Sequence, residues 1–159
     1  MPSPRLVLLE SPFAGTSPWR LLAAVQRWRN KRYARRCLRH SLLKGESPLA
    51  SHILYTQPGV LDDGDPAERE RGIEAGLAWR FFANASVVYI DRGISRGMAH
   101  GIAAARRAGI PVEYRALLAT SVIEFERDNP DIRVDIHAPW RDACDRVAET
   151  RRRYEALEA

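Results

Sequence analysis

The residues best equipped for chemistry crowd a single turn. In VVYIDRGISRGMAHGIAAARRAGIPVEYR, residues 87–115, Asp91, Gly93, Ser95, Arg96, Gly97 and Met98 fall between a β-branched apolar run and a helical pattern of small residues. The first N–H groups of a helix have no partner inside it, and the positive end of its dipole lies at the same place. A hydroxyl, a guanidinium and glycine backbone gathered there suit an anion. Asp91, closing the preceding run, would accept from ligand hydroxyls such as those of a sugar, or orient Arg96. The turn therefore reads as a receptor for a phosphate or carboxylate beside a polyol. The competing reading is structural: Ser95 caps the helix, and Gly93 and Gly97 permit the turn.

Such a turn needs elements to hold it. RLVLLES (5–11) is a nearly continuous apolar run, the pattern of a strand buried on both faces. From Asn30, read as a cap, Tyr33, Ala34, Cys37, Leu38, Ser41 and Leu42 recur at helical spacing up to Gly45. ASHILYTQ (50–57) reads as strand two, PGVLDDGDP as a loop, and Pro66 as the first residue of a helix. SVVYID is strand three, GMAHGIAAARRAG a helix, IPVEYR strand four, with a further strand near 132–136 and a C-terminal helix over 140–157. Alternating strands and helices predict a single α/β domain over 1–159: a doubly wound, Rossmann-like or flavodoxin-like parallel sheet of order 2-1-3-4 plus the further strand, in three α/β/α layers.

In such sheets ligands sit outside the carboxyl ends of the strands, where strand order reverses. That rule gathers Ser11, Pro12, Phe13 and Gly15 after strand one, Tyr55, Thr56, Gln57, Asp62 and Asp63 after strand two, the Asp91–Gly97 turn, and Tyr114 and Arg115 at strand four. Arg115 is expected either to pair with Asp91 or to meet a ligand phosphate.

The chain has 159 residues, 25 Lys plus Arg against 20 Asp plus Glu, and a net charge of +5. That balance favours anionic partners. Cys37 and Cys144 form no metal spacing or disulfide framework, and no apolar run approaches the roughly 18 residues of a membrane span. A cytoplasmic protein without metal or other cofactor and without membrane contact is expected.

The segments SPFAG after strand one, LAW…VVY leading into strand three, and SRGMAHGIAAARRAGIPV resemble the nucleoside 2-deoxyribosyltransferase-like superfamily, which includes 2′-deoxynucleoside 5′-phosphate N-hydrolases. RYARRCLRHSLLKGESPLASHILYTQPGVLDDGDPAERERGIEAGLAW and DRGISRGM resemble, more closely, a group of small phage and prophage proteins placed near that superfamily. The resemblance implies a flavodoxin-like fold, assembly as dimers or higher oligomers, a nucleotide-like ligand, and N-glycosidic bond cleavage or transfer by a glutamate nucleophile. Ser95 and Gly97 match the family pattern, but the nucleophile position is Gly101, and a second carboxylate position is Gly76. Retaining glycosyl chemistry needs one carboxylate to attack and an acid to assist departure. Either other carboxylates have taken over, or the site binds without cleaving.

Asp62, Asp63, Glu68, Glu70, Glu74 and Asp91 are the available acids, with Asp63, then Asp62, then Glu74 expected to be catalytic. The structural alternatives are an acidic turn before a helix for LDDGDP and an ion-paired face for Glu70 and Glu74. His52 reads as a base or a core histidine, His100 as a surface or interface residue, and Trp79 as core. Between Ser11 and Gly45 there is no acid but a run of Arg and Lys, so nucleic acid could meet the basic helix 27–39. Residues 16–29, anchored by Trp19 and Trp28, form an extra basic segment relative to the family. Three classes stay open: an enzyme acting on a nucleoside, nucleotide or nucleotide sugar; a non-catalytic binder of such a ligand, for instance a phage-encoded sponge or sensor; and a nucleic-acid-binding protein.

Overall fold

A computed structural model of the chain describes residues 4–136 and 138–157. Five parallel strands form one sheet: β1 (Arg5–Glu10), β2 (Glu46–Leu49), β3 (Ala85–Tyr89), β4 (Val112–Arg115) and β5 (Val134–Asp135), in the order β2-β1-β3-β4-β5. The parallel register of β1 on β3, with Val7 opposite Ala85 and Leu9 opposite Val87, places the switch in strand order between those two strands. Helices α1 (Arg20–Leu43), α2 (Ser51–Leu54), α3 (Pro66–Ala78), α4 (Arg96–Arg107), α5 (Ala119–Asp128) and α6 (Ala138–Leu157) complete the doubly wound arrangement. The expected fold, strand order and extra strand are all present.

Strand periodicity assigns each face. On β3, Val87 and Tyr89 pack with Val7, Leu9, Tyr33 and Cys37, the α1 side. Val88 and Ile90 pack with Met98, Ile102 and Val122, the α4 and α5 side. Successive side chains of a strand alternate faces, so Leu8 and Glu10 of β1 point away from α1. Cys37 is a free, buried thiol, and burial pushes its pKa up, which keeps it inert. The side chain of Cys144 lies outside those described.

Two boundaries differ from expectation. Helix α1 does not start at Asn30 but runs unbroken from Arg20, because nothing between Pro18 and Gly45 interrupts helical backbone. Gly45, at φ +79°, ends it. Strand two is not 50–57: the chain enters the sheet directly after Gly45, with Glu46 beside Arg5, and Pro48 lies within this strand. ASHIL instead forms the short turn of α2, where Leu54 N–H donates to Ala50 O at 2.9 Å. Pro66 does open α3, and Asp65 caps it by accepting from Ala67 and Glu68 N–H.

Candidate functional site

The carboxyl end of β1, with Leu49 at the end of β2 and Ser86 of β3, opens into a cavity of about 630 Å³, a size suited to a nucleotide-sized molecule. It is bounded by the loop after β1, by α2 and the residues following it, by one side of α3, and by the first turns of α4. Several elements hold these walls in place. In the β1–α1 loop, Asn30 Nδ2 donates to Phe13 O and Ala14 O, and Gln26 Oε1 accepts from the N–H groups of Thr16 and Ser17. Residues 16–29 thus include the helical buttress of one cavity wall. An ideal Cβ on Gly15 would lie 2.3 Å from Ala23 O, so this glycine admits α1 to the loop rather than facing a ligand. Gly15→Ala is expected to cost about 1–3 kcal/mol by overpacking against backbone, read as a lower midpoint in urea unfolding.

At α4, Ser95 Oγ accepts from Met98 N–H at 3.3 Å while Ser95 N–H meets Met98 Sδ at 3.4 Å. The N–H groups of Arg96 and Gly97 have no partner among the described residues, and both residues border the cavity. A Cβ on Gly97 would meet nothing nearer than Ser95 Oγ at 4.0 Å, so its backbone is open to an incoming group. The capping role and the anion-receiving geometry therefore coexist. Arg69, Arg80 and Arg96 add positive charge around the cavity, while Phe13, Leu61 and Ile73 supply apolar wall.

Opposite α4, Ser11 Oγ and His52 Nε2 share a hydrogen bond of 2.9 Å. Burial drives the His52 pKa down to about 4, so the ring is neutral near physiological pH. His52 lies in α2 rather than in strand two, and it lines the cavity rather than the core.

Ser11, Phe13, Tyr55, Asp63, Ser95, Arg96, Gly97 and Met98 come together around this space; Pro12, Gln57, Asp62, Glu74 and Gly93 do not line it. Asp63 accepts from Arg69 Nη1 through both oxygens at 2.9 Å, and Asp62 accepts from Gly64 N–H in the turn before α3. The acidic loop is therefore spent on its own structure. Glu74 is exposed on α3. Gly93, at φ +73°, serves the turn.

Asp91 and Arg115 need correction. The Asp91 carboxylate accepts from Tyr33 Oη at 2.6 Å and from the N–H groups of Leu117 and Leu118, so it ties β3 to α1 and to the β4–α5 loop instead of facing a sugar. Arg115 is wholly buried and bound by Glu46 and Glu113, with no route to a ligand or to Asp91. Trp79 is not core either: it is 45% exposed and donates from Nε1 to Tyr55 Oη.

The sequence profile of a family described as a domain of unknown function, DUF7768, matches residues 5–115. The chain belongs to that family. No curated protein and no solved structure matches the chain. The DUF7768 match runs from β1 to the end of β4, and so takes in every element bordering the cavity.

Within this DUF7768 domain, sequence reading missed Glu10 and Arg80. Glu10 ends β1 on the cavity face, and burial raises its pKa from 4.5 to about 7 against the opposing field of Arg80. The one signal was positional: a lone acid at an inward position of RLVLLE, directly before Ser11. Among the described residues no group of three or more His, Cys, Asp or Glu side chains is gathered as a metal site. No described helix is long and apolar enough to cross a membrane.

Proposed function

We propose that this domain binds a small phosphorylated nucleoside-type ligand, a nucleotide or nucleotide sugar, in the β1–β3 cavity and acts on its N-glycosidic bond. The observation that carries the reading is the pairing, in one cavity at the switch in strand order, of two free α4 N–H groups with an apolar wall. The free amides of Arg96 and Gly97, with Arg96 and Arg69 nearby, suit a phosphate. The Phe13 ring and the aliphatic side chains of α3 suit a flat base or sugar face. A binder without chemistry is the second reading. The engagement of Asp62 and Asp63 in local structure favours it, since Asp62 does not line the cavity and Asp63 is ion-paired to Arg69.

Calorimetry with nucleosides, nucleoside 5′-monophosphates and nucleotide sugars tests the assignment. Phosphorylated members are expected to bind more tightly than their nucleosides. Gly97→Asp places a carboxylate at the anion position while favouring the helix dipole by roughly 0.3–1 kcal/mol. It should keep or raise the melting temperature and weaken phosphorylated ligands at least tenfold. Equal binding by Gly97→Asp and the natural chain, or no binding by any member of the panel, defeats the assignment.

A further inference from the structure

We propose that Glu10 is the proton acceptor of the cavity, taking the proton of the water that attacks the sugar of a bound nucleotide. The inference rests on the nucleotide reading above and adds to it the residue that performs the step. Three observations of placement support it.

First, strand alternation turns Glu10, together with Leu8, toward α4, and its carboxylate lines the cavity beside Ser11. Second, the carboxylate has no hydrogen-bond or ion-pair partner among the described residues, unlike Asp63, Asp91, Glu46 and Glu113, each of which is spent on a structural bond. Unpaired acids inside proteins are costly, so one kept in a ligand-sized cavity calls for a use. Third, α4 makes room for it. An ideal Cβ on Gly101 would fall 2.4 Å from Glu10 Oε1 and 2.7 Å from its carboxyl carbon. Glycine inside a helix costs roughly 1 kcal/mol relative to alanine, and here its lack of a side chain leaves space for a carboxylate.

The surrounding charges fit that role. Arg80, from the turn after α3, favours the carboxylate and is outweighed by burial; His52, from α2, is neutral and its Nε2 is engaged by Ser11. From α4, Arg96 and the exposed His100 border the cavity, and from the α3 side Arg69 is held by Asp63 with Glu68 beyond it. Glu10 is thus an acceptor with both oxygens uncommitted and a proton affinity suited to exchange near neutral pH. In the step, the water oxygen forms a bond to the anomeric carbon, and the carbon–nitrogen bond breaks with its electron pair going to the base. The water proton passes to Glu10 and on to solvent, and the departing base nitrogen takes a proton from solvent, so nucleotide and water yield free base and sugar phosphate.

The test incubates the full chain with the four ribonucleoside and four 2′-deoxyribonucleoside 5′-monophosphates, following free base by chromatography and binding by calorimetry. The natural chain is expected to release base at a rate that climbs as pH rises through about 7. Glu10→Gln should bind within threefold of the natural chain and lose at least 100-fold in rate. Gly101→Ala, which keeps the acid but displaces it, should lose rate similarly with its circular dichroism unchanged. Stability separates catalysis from a packing role. Between pH 4.5 and about 7 the folded chain holds a proton that the unfolded chain has released, so Glu10 makes stability fall with rising pH across that window. Glu10→Gln should therefore melt at or above the natural chain at pH 8, whereas a packing residue would melt lower. Undiminished release by Glu10→Gln, or binding by the natural chain without release, overturns this inference and leaves the nucleotide site standing. Absence of binding by every monophosphate overturns this inference, and absence of binding by the nucleotide sugars as well removes the site reading too.

Discussion

Glu46→Ala is expected to destabilise the fold by about 3–5 kcal/mol, because it strands a buried guanidinium. Arg115 Nη1 and Nη2 donate to Glu46 Oε2 and Oε1 at 2.6 and 2.7 Å, and Nη2 also donates to Glu113 at 2.7 Å. Ser41 Oγ adds a 2.6 Å bond to Glu46 from α1, and Arg5 bridges Glu46 to Glu113. Three strands and one helix thus meet at a charge cluster in which Arg115 and Ser41 are wholly buried. Burial pushes the Glu46 pKa up, but hydrogen bonds from Arg115 and Ser41 and the charges of Arg115 and Arg5 outweigh it and bring the value down to about 2. The stabilisation is therefore complete above the ordinary value of 4.5 and is lost as pH falls from 4.5 toward 2. Urea melts of the natural chain and Glu46→Ala should converge below about pH 2. A constant difference between them from pH 7 to pH 2 contradicts this account.

Asp91→Ala is the second large effect, at about 2–4 kcal/mol, since it removes the acceptor for Tyr33 Oη and for two backbone N–H groups at once. Burial is the leading cause that pushes the Tyr33 pKa far up, followed by the neighbouring Cys37 and Asp91, so the phenol stays neutral and keeps its hydroxyl as a donor. Tyr33→Phe should lose less than Asp91→Ala, because the carboxylate retains Leu117 and Leu118. A double-mutant cycle measures the Tyr33–Asp91 coupling directly. If Asp91 instead held a ligand hydroxyl, Asp91→Ala would reduce affinity while leaving the melt unchanged.

These two residues also show what a sequence can and cannot disclose. Apolar runs such as RLVLLE and SVVY state their burial on both faces, so the parallel sheet and its order were legible. Strand two was not, because ESPL looks like a turn; its place is fixed by Glu46 meeting Arg115, 69 positions away. Asp91 follows β3 and Arg115 ends β4, as read, yet their side chains serve partners whose proximity only the fold creates. The Ser95–Gly97 turn was readable because a helix start is local chemistry. Glu10 was hidden for the opposite reason: it becomes conspicuous only when Gly101, 91 positions later, is laid across it.

The outermost strands carry a further meaning for assembly. At one margin of the sheet lies β2, four residues long and interrupted by Pro48, which has no N–H to offer; at the other lies β5, only two residues long. Neither margin presents the long ladder of free donors and acceptors that another chain's strand would need to continue the sheet. Copies of this chain that associate are therefore not expected to do so by continuing the sheet. The exposed Leu21, Leu22, Val25 and Trp28 of α1 make that helix the surface to probe first by cross-linking.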